Sequence, residues 1–137
     1  MTLDGLITRD GAICVWCGRE AWRRDLTAEH LLPRARRGHR TAENLAVACR
    51  TCNKRRRTKP VAAYVRAQLE RGEQPRLDLL FDALERMSAS ASRPQAEYAR
   101  RQLALLERLS PPLEPAAQDG ARPRARTLRT NGPLALA

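Results

Sequence analysis

Aromatic residues are nearly missing from this chain of 137 residues: one Phe, two Tyr and two Trp, 4% of the whole. With 30% of residues charged, no large apolar core is available, and a small domain of this kind usually needs a metal, disulfides or a partner to be stable. Long apolar runs are absent as well. Nothing approaches the roughly 18 residues of a membrane span, so no membrane association is expected. The opening stretch MTLDGLITRDG has no basic segment followed by an apolar one, and so does not read as a secretory signal. A cytoplasmic, reducing setting is therefore expected. There, paired cysteines favour a metal over disulfides.

What the chain has in excess is positive charge. The formal net charge is +11, and its placement matters more than its size. Residues 1–59 carry 14 basic and 6 acidic side chains (+8), residues 60–110 carry 8 and 7 (+1), and residues 111–137 carry 4 and 2 (+2). A basic field of this sort attracts polyanions, nucleic acid first among them. An arginine-biased composition explains the helices and tail equally well, but not the cluster from Arg50 to Lys59.

Residues 1–13 give no clear element. Cys14 to Gly18 reads as a metal-binding knuckle, a tight turn in which Gly18 is free to take positive φ. Leu26 to Leu32 is a short strand stopped by Pro33, Arg34 to Glu43 a basic loop, and Leu45 to Ala48 a second short strand. A helix starts around Cys49 to Asn53. Beyond Lys59 the pattern is helical: Val61 to Arg71 after Pro60, Arg76 to Met87 with Leu77, Leu80, Phe81 and Leu84 on one face, and Pro94 to Leu109 with Tyr98, Leu105, Leu106 and Leu109 on one side. Residues 111–137 are rich in Pro, Ala and Arg without periodicity and read as a disordered basic tail.

The four cysteines form two Cys-x-x-Cys pairs, Cys14/Cys17 and Cys49/Cys52. Two such turns deliver four thiolates to one tetrahedral zinc, and a structural zinc site is the expectation, with disulfides or a redox motif as the competing readings. The gap between the pairs is 49 − 17 − 1 = 31 residues. That exceeds the ~15–20 of a compact ribbon, so something is built between the knuckles. His30 follows Glu29 there, and a lone histidine in such a place is more often a packed residue than a catalyst. His39, in the basic loop, reads as solvated surface. Trp16 and Trp22 flank the first knuckle, with packing over the metal as the default and base stacking as the lesser alternative.

Glu29-His30-x-x-Pro33, then Asn44-Leu45, then Cys49-x-x-Cys52-Asn53 resembles the HNH endonuclease family, the ββα-metal or His-Me finger nucleases. It is closest to the subgroup framed by two zinc-binding Cys-x-x-Cys pairs. The resemblance covers residues 14–59. It implies an α+β fold, a small ββα-metal core with a structural four-cysteine zinc site, here followed by C-terminal α-helices. It also implies hydrolysis of phosphodiester bonds in DNA, with RNA left open, to give 5′-phosphate and 3′-hydroxyl ends. His30 would be the general base, and Asn44 would tie down the loop and hold the His30 backbone. Glu29, where the family usually has Asp, and Asn53 would hold a catalytic Mg²⁺ or Mn²⁺. Arg56 falls where the family commonly has a basic residue against phosphate.

The chemistry agrees with that resemblance. Phosphodiester hydrolysis needs an activated water and charge neutralisation at phosphorus, tasks suited to a neutral imidazole and a hard cation. One tension remains, because neighbours on a regular strand point to opposite faces. Glu29 and His30 can flank one phosphate only if the strand ends or bulges there. Arg34, Arg36, Arg37, Lys54, Arg55, Arg56, Arg57 and Lys59 are the expected nucleic-acid contacts. The domain plan is a nuclease core at 1–59, a helical extension packing on it at 60–110, and the tail. A homodimer or larger assembly through the C-terminal helices is left open. The rival readings are a non-catalytic zinc-stabilised nucleic-acid-binding module and a scaffold subunit.

Overall fold

A computed structural model describes residues 1–110; the reading of 111–137 as a disordered tail lies outside the described residues. The element order is α1 (Leu3–Asp10), β1 (Leu26–His30), β2 (Leu45–Cys49), α2 (Arg50–Arg56), α3 (Val61–Glu70), α4 (Leu77–Ser88) and α5 (Arg93–Leu109). The two strands form an antiparallel pair in which Leu26 faces Cys49 and His30 faces Leu45. With α2 following directly, this is a small ββα unit succeeded by C-terminal helices, the α+β class expected. No described helix is long and apolar enough to cross a membrane.

β2 is the centre of the molecule. All five of its residues are buried, and Val15 donates to the Val47 carbonyl at 2.8 Å, which lays the first knuckle along the strand's other edge. Around it Leu6, Trp16, Leu26, Leu31, Leu45, Tyr64, Val65, Leu80, Leu84, Met87, Tyr98 and Leu106 make one apolar cluster. Helices from both halves of the chain thus share a core.

α1 is the element that the sequence reading did not resolve. Thr2 caps it, its hydroxyl accepting from Gly5 N–H at 3.1 Å, and Gly11 ends it at φ 92°. Both are ordinary start and stop signals. Glycine at position 5, inside the helix, weakened the pattern that would have revealed it.

α3 begins after Pro60, which offers no side-chain cap. Its orphan N–H groups are taken instead by α5: Val61 donates to the Tyr98 hydroxyl at 3.0 Å and Ala62 to Gln102 Oε1 at 2.8 Å. This explains why the buried stripe of α5 is Gln95, Tyr98, Ala99, Gln102 and Leu106. Leu105, placed on the inner side by its apolar character alone, is 39% exposed.

The loop between the strands is closed tightly at Gly38. A Cβ there would lie 1.7 Å from the Leu32 carbonyl oxygen and 2.9 Å from Asn44 Nδ2. Gly38→Ala is therefore expected to displace the Leu32–Asn44 clasp described below. The expected loss is about 2–4 kcal/mol in a denaturant melt, the upper part of the range for backbone clashes and broken buried networks. An unchanged midpoint would mean that the loop moves freely.

Candidate active site

The knuckles come first, because they place everything else. Cys14 and Cys17 sit on a turn closed by the Ile13–Glu20 bridge, where Gly18, at φ 75°, donates to the Cys14 carbonyl at 2.8 Å. Cys49 ends β2 and caps α2, its Sγ accepting from Cys52 N–H at 3.4 Å. Trp16 and Cys17 N–H groups point at Cys14 Sγ at 3.3 and 3.5 Å. All four sulfurs lie within 4.8 Å of one another. Four clustered thiols with backbone donors form a soft tetrahedral donor set that can hold a metal ion and fits a structural zinc. Hydrogen bonding inside the cluster pulls Cys17 and Cys49 down and pushes Cys14 and Cys52 up.

Cys52 is followed by Asn53, so the metal site fixes the first turn of α2 against the strands. Asn53 meets Glu29 there. With its amide nitrogen turned inward, Asn53 donates to Glu29 Oε1 at 2.8 Å and Oε2 at 3.3 Å. The opposite orientation sets two oxygens 2.8 Å apart. The hydrogen-bonded orientation satisfies both groups. A carboxylate and an amide oxygen are hard donors of the kind a small divalent cation takes, so these two side chains are the candidates for holding one.

Glu29 is buried, 5% exposed. Burial pushes its carboxyl up from the usual range, while Arg56 and Trp16 pull the other way. His30 is half-buried and is the last residue of β1. Glu29 and His30 both keep the regular register of the strand pair, opposite Ala46 and Leu45. Burial, then the charges of Arg34, Arg40 and Arg56, hold the imidazole below its usual value, so it is neutral near pH 7.

Asn44 is fully buried. Its Oδ1 accepts from Leu32 N–H at 2.8 Å, and its Nδ2 donates to the carbonyls of Leu32 at 3.0 Å and His39 at 2.9 Å. Its own carbonyl accepts from Leu31 N–H at 2.9 Å. It clasps the backbone just beyond His30, one and two residues later than the expected hold on His30 itself. The His30 carbonyl is held instead by Arg56, at 2.7 Å.

Arg56 departs most from expectation. Placed among the phosphate contacts by its charge, it is 0% exposed and cannot reach a ligand on the surface. Its spacing from the cysteines explains this: Cys49, Cys52, Asn53 and Arg56 fall at i, i+3, i+4 and i+7, the inward stripe of α2. The other basic candidates Arg34, Arg36, Arg37, Lys54, Arg55, Arg57 and Lys59 are exposed. Arg36 donates to the Thr58 carbonyl at 3.1 Å, and Arg55 pairs with Glu73 at 3.5 Å. Arg37 and Arg57 sit at φ 74° and 54°, backbone that disfavours a side chain. His39 is exposed, as expected. Trp16 is buried, whereas Trp22 is 44% exposed.

A strand pair and short helix bracketed by four cysteines that could hold a metal ion, with Glu29 and His30 closing β1, Asn44 just before β2 and Asn53 against Glu29, make a small ββα module. Residues 14–69 match the family model described as HNH endonuclease. Over that segment the chain is similar to the HNH endonuclease family, in the form framed by two Cys-x-x-Cys pairs positioned to bind a metal. The match runs into α3, ten residues past Lys59. No curated protein and no solved structure matches the chain.

Proposed function

We propose that the chain is a metal-dependent endonuclease that hydrolyses phosphodiester bonds in DNA. The observation that carries this reading is the apposition of Glu29 and Asn53, 2.8 Å apart, beside a strand that ends on His30. A divalent cation held by these two side chains would supply charge neutralisation at the phosphoryl oxygens. The neutral His30 imidazole takes a proton from water, and the oxygen so freed attacks phosphorus. The bond from phosphorus to the 3′ oxygen breaks and that oxygen takes a proton from solvent water, leaving 5′-phosphate and 3′-hydroxyl ends. Asn44 keeps the backbone after His30 from moving during that transfer. Exposed Arg34, Arg36, Arg37, Lys54, Arg57 and Lys59 neutralise neighbouring phosphates and make binding salt-dependent.

Supercoiled plasmid incubated with the zinc-loaded full chain tests this directly. Nicked or linear product is expected with added Mg²⁺ or Mn²⁺ and not without a divalent cation. Salt-sensitive DNA binding with no cleavage in either metal would leave a binding module in place of an enzyme.

A further inference from the structure

Glu29 presents its two carboxylate oxygens to different partners. Oε2 accepts from the Trp16 indole N–H at 3.0 Å and lies 3.4 Å from Arg56 Nη1. Oε1 is the oxygen nearest the Asn53 amide, at 2.8 Å. A carboxylate free to rotate would offer either oxygen to a cation. This one is held on one side by two donors.

Those donors are themselves immobilised. Arg56 directs Nε to the Lys59 carbonyl at 2.6 Å, Nη1 to His30 at 2.7 Å and Nη2 to Leu31 at 2.5 Å. Its guanidinium lies 5.0 Å over the Trp16 ring, and that ring meets Tyr64 edge-on at 5.1 Å. Tyr98 also donates to the Leu31 carbonyl, at 2.9 Å. One buried guanidinium therefore touches the carboxylate, the carbonyl of His30 and the carbonyl after it. Burying such a group is costly, and a surface arginine would serve phosphate better.

We propose that Trp16 and Arg56 are positioning residues for Glu29: by occupying Oε2 they present Oε1 toward Asn53, and Arg56 locks that carboxylate to the end of the strand carrying His30. This rests on the metal-site reading above. It also accounts for glutamate at this position, since the additional methylene carries the carboxylate to the indole N–H. An aspartate would keep the charge and fall short of both donors.

The test is Mn²⁺ binding by the zinc-loaded full chain, followed by electron paramagnetic resonance, with zinc content and circular dichroism measured alongside. Trp16→Phe removes the indole donor and keeps a smaller aromatic ring against Arg56 and Tyr64, so the melting temperature is measured with it. The substitution is expected to weaken Mn²⁺ about 10-fold or more, the range found when a donor behind a metal ligand is lost. Glu29→Asp is expected to weaken it comparably. Cleavage by Trp16→Phe is expected to recover as Mn²⁺ is raised, which a purely structural defect would not do. A folded, zinc-loaded Trp16→Phe with wild-type Mn²⁺ affinity, in a protein where Glu29→Ala abolishes binding, overturns the positioning role and spares the metal site. Mn²⁺ affinity unchanged by Glu29→Ala overturns both. Arg56→Lys adds the second donor to the series, and should it fail to fold, Trp16→Phe decides alone.

Discussion

His30→Ala abolishes plasmid cleavage while the protein keeps its zinc and its melting temperature. The expected loss in rate is about 10²–10⁴-fold, the usual contribution of a positioned general base. The two halves of this expectation come from different atoms. The proposed base is the imidazole, half-buried at the strand end. What supports the fold at this residue is its carbonyl, which accepts from Arg56 at 2.7 Å and survives the substitution. Cleavage by His30→Ala within a few-fold of wild type would remove His30 from the chemistry. A collapse in melting temperature would mean that the ring, and not the carbonyl, supports the strand end.

Loss of the knuckle metal has the larger effect on stability. Cys49→Ser removes one of four sulfurs that lie within 4.8 Å of one another, and with it the cap that accepts Cys52 N–H. Zinc held by such a set contributes about 10–16 kcal/mol of apparent binding free energy, against a total of about 5–15 kcal/mol for a typical domain. The variant should bind no stoichiometric zinc and show no cooperative melt, and prolonged chelation of the wild type should do the same. Atomic emission on the purified chain is expected to find one zinc per molecule. A Cys49→Ser protein that melts within a few degrees of wild type would make the apolar cluster sufficient without metal.

The parts of this fold that were legible in the sequence are those governed by one repeating rule. α4 lies within a residue or two of its expected bounds because Leu77, Leu80, Phe81 and Leu84 repeat at helical spacing, and Leu80 and Leu84 are fully buried. The knuckles were legible because two Cys-x-x-Cys turns have few other uses. On α2 and α5 the departures share a cause, which is hydrogen-bond demand overriding polarity. Gln95 and Gln102 turn inward because the backbone N–H groups of His39 and Ala62 need acceptors there, at 3.0 and 2.8 Å. Arg56 turns inward because three carbonyls converge on it. A residue's polarity marks it for the surface, and only the partners brought by tertiary structure can reverse that. At the candidate site the residue types were legible, and the pairing of Glu29 with Asn53 follows from the resemblance. Which oxygen of Glu29 faces which partner depends on Trp16, thirteen residues away in sequence.

α5 gives the site a place in time. Chains emerge from the ribosome N-terminus first, so the whole motif from Cys14 to Asn53 is in solution long before Tyr98 and Gln102 arrive. Until they do, Val61 and Ala62 at the start of α3 lack their acceptors, and the Leu31 carbonyl beside His30 lacks the tyrosine donor. A nascent or prematurely terminated chain thus carries the motif with its strand exit only partly secured. The last described helix is what completes that junction, so the strand exit beside His30 is fully held only once α5 has been made and packed.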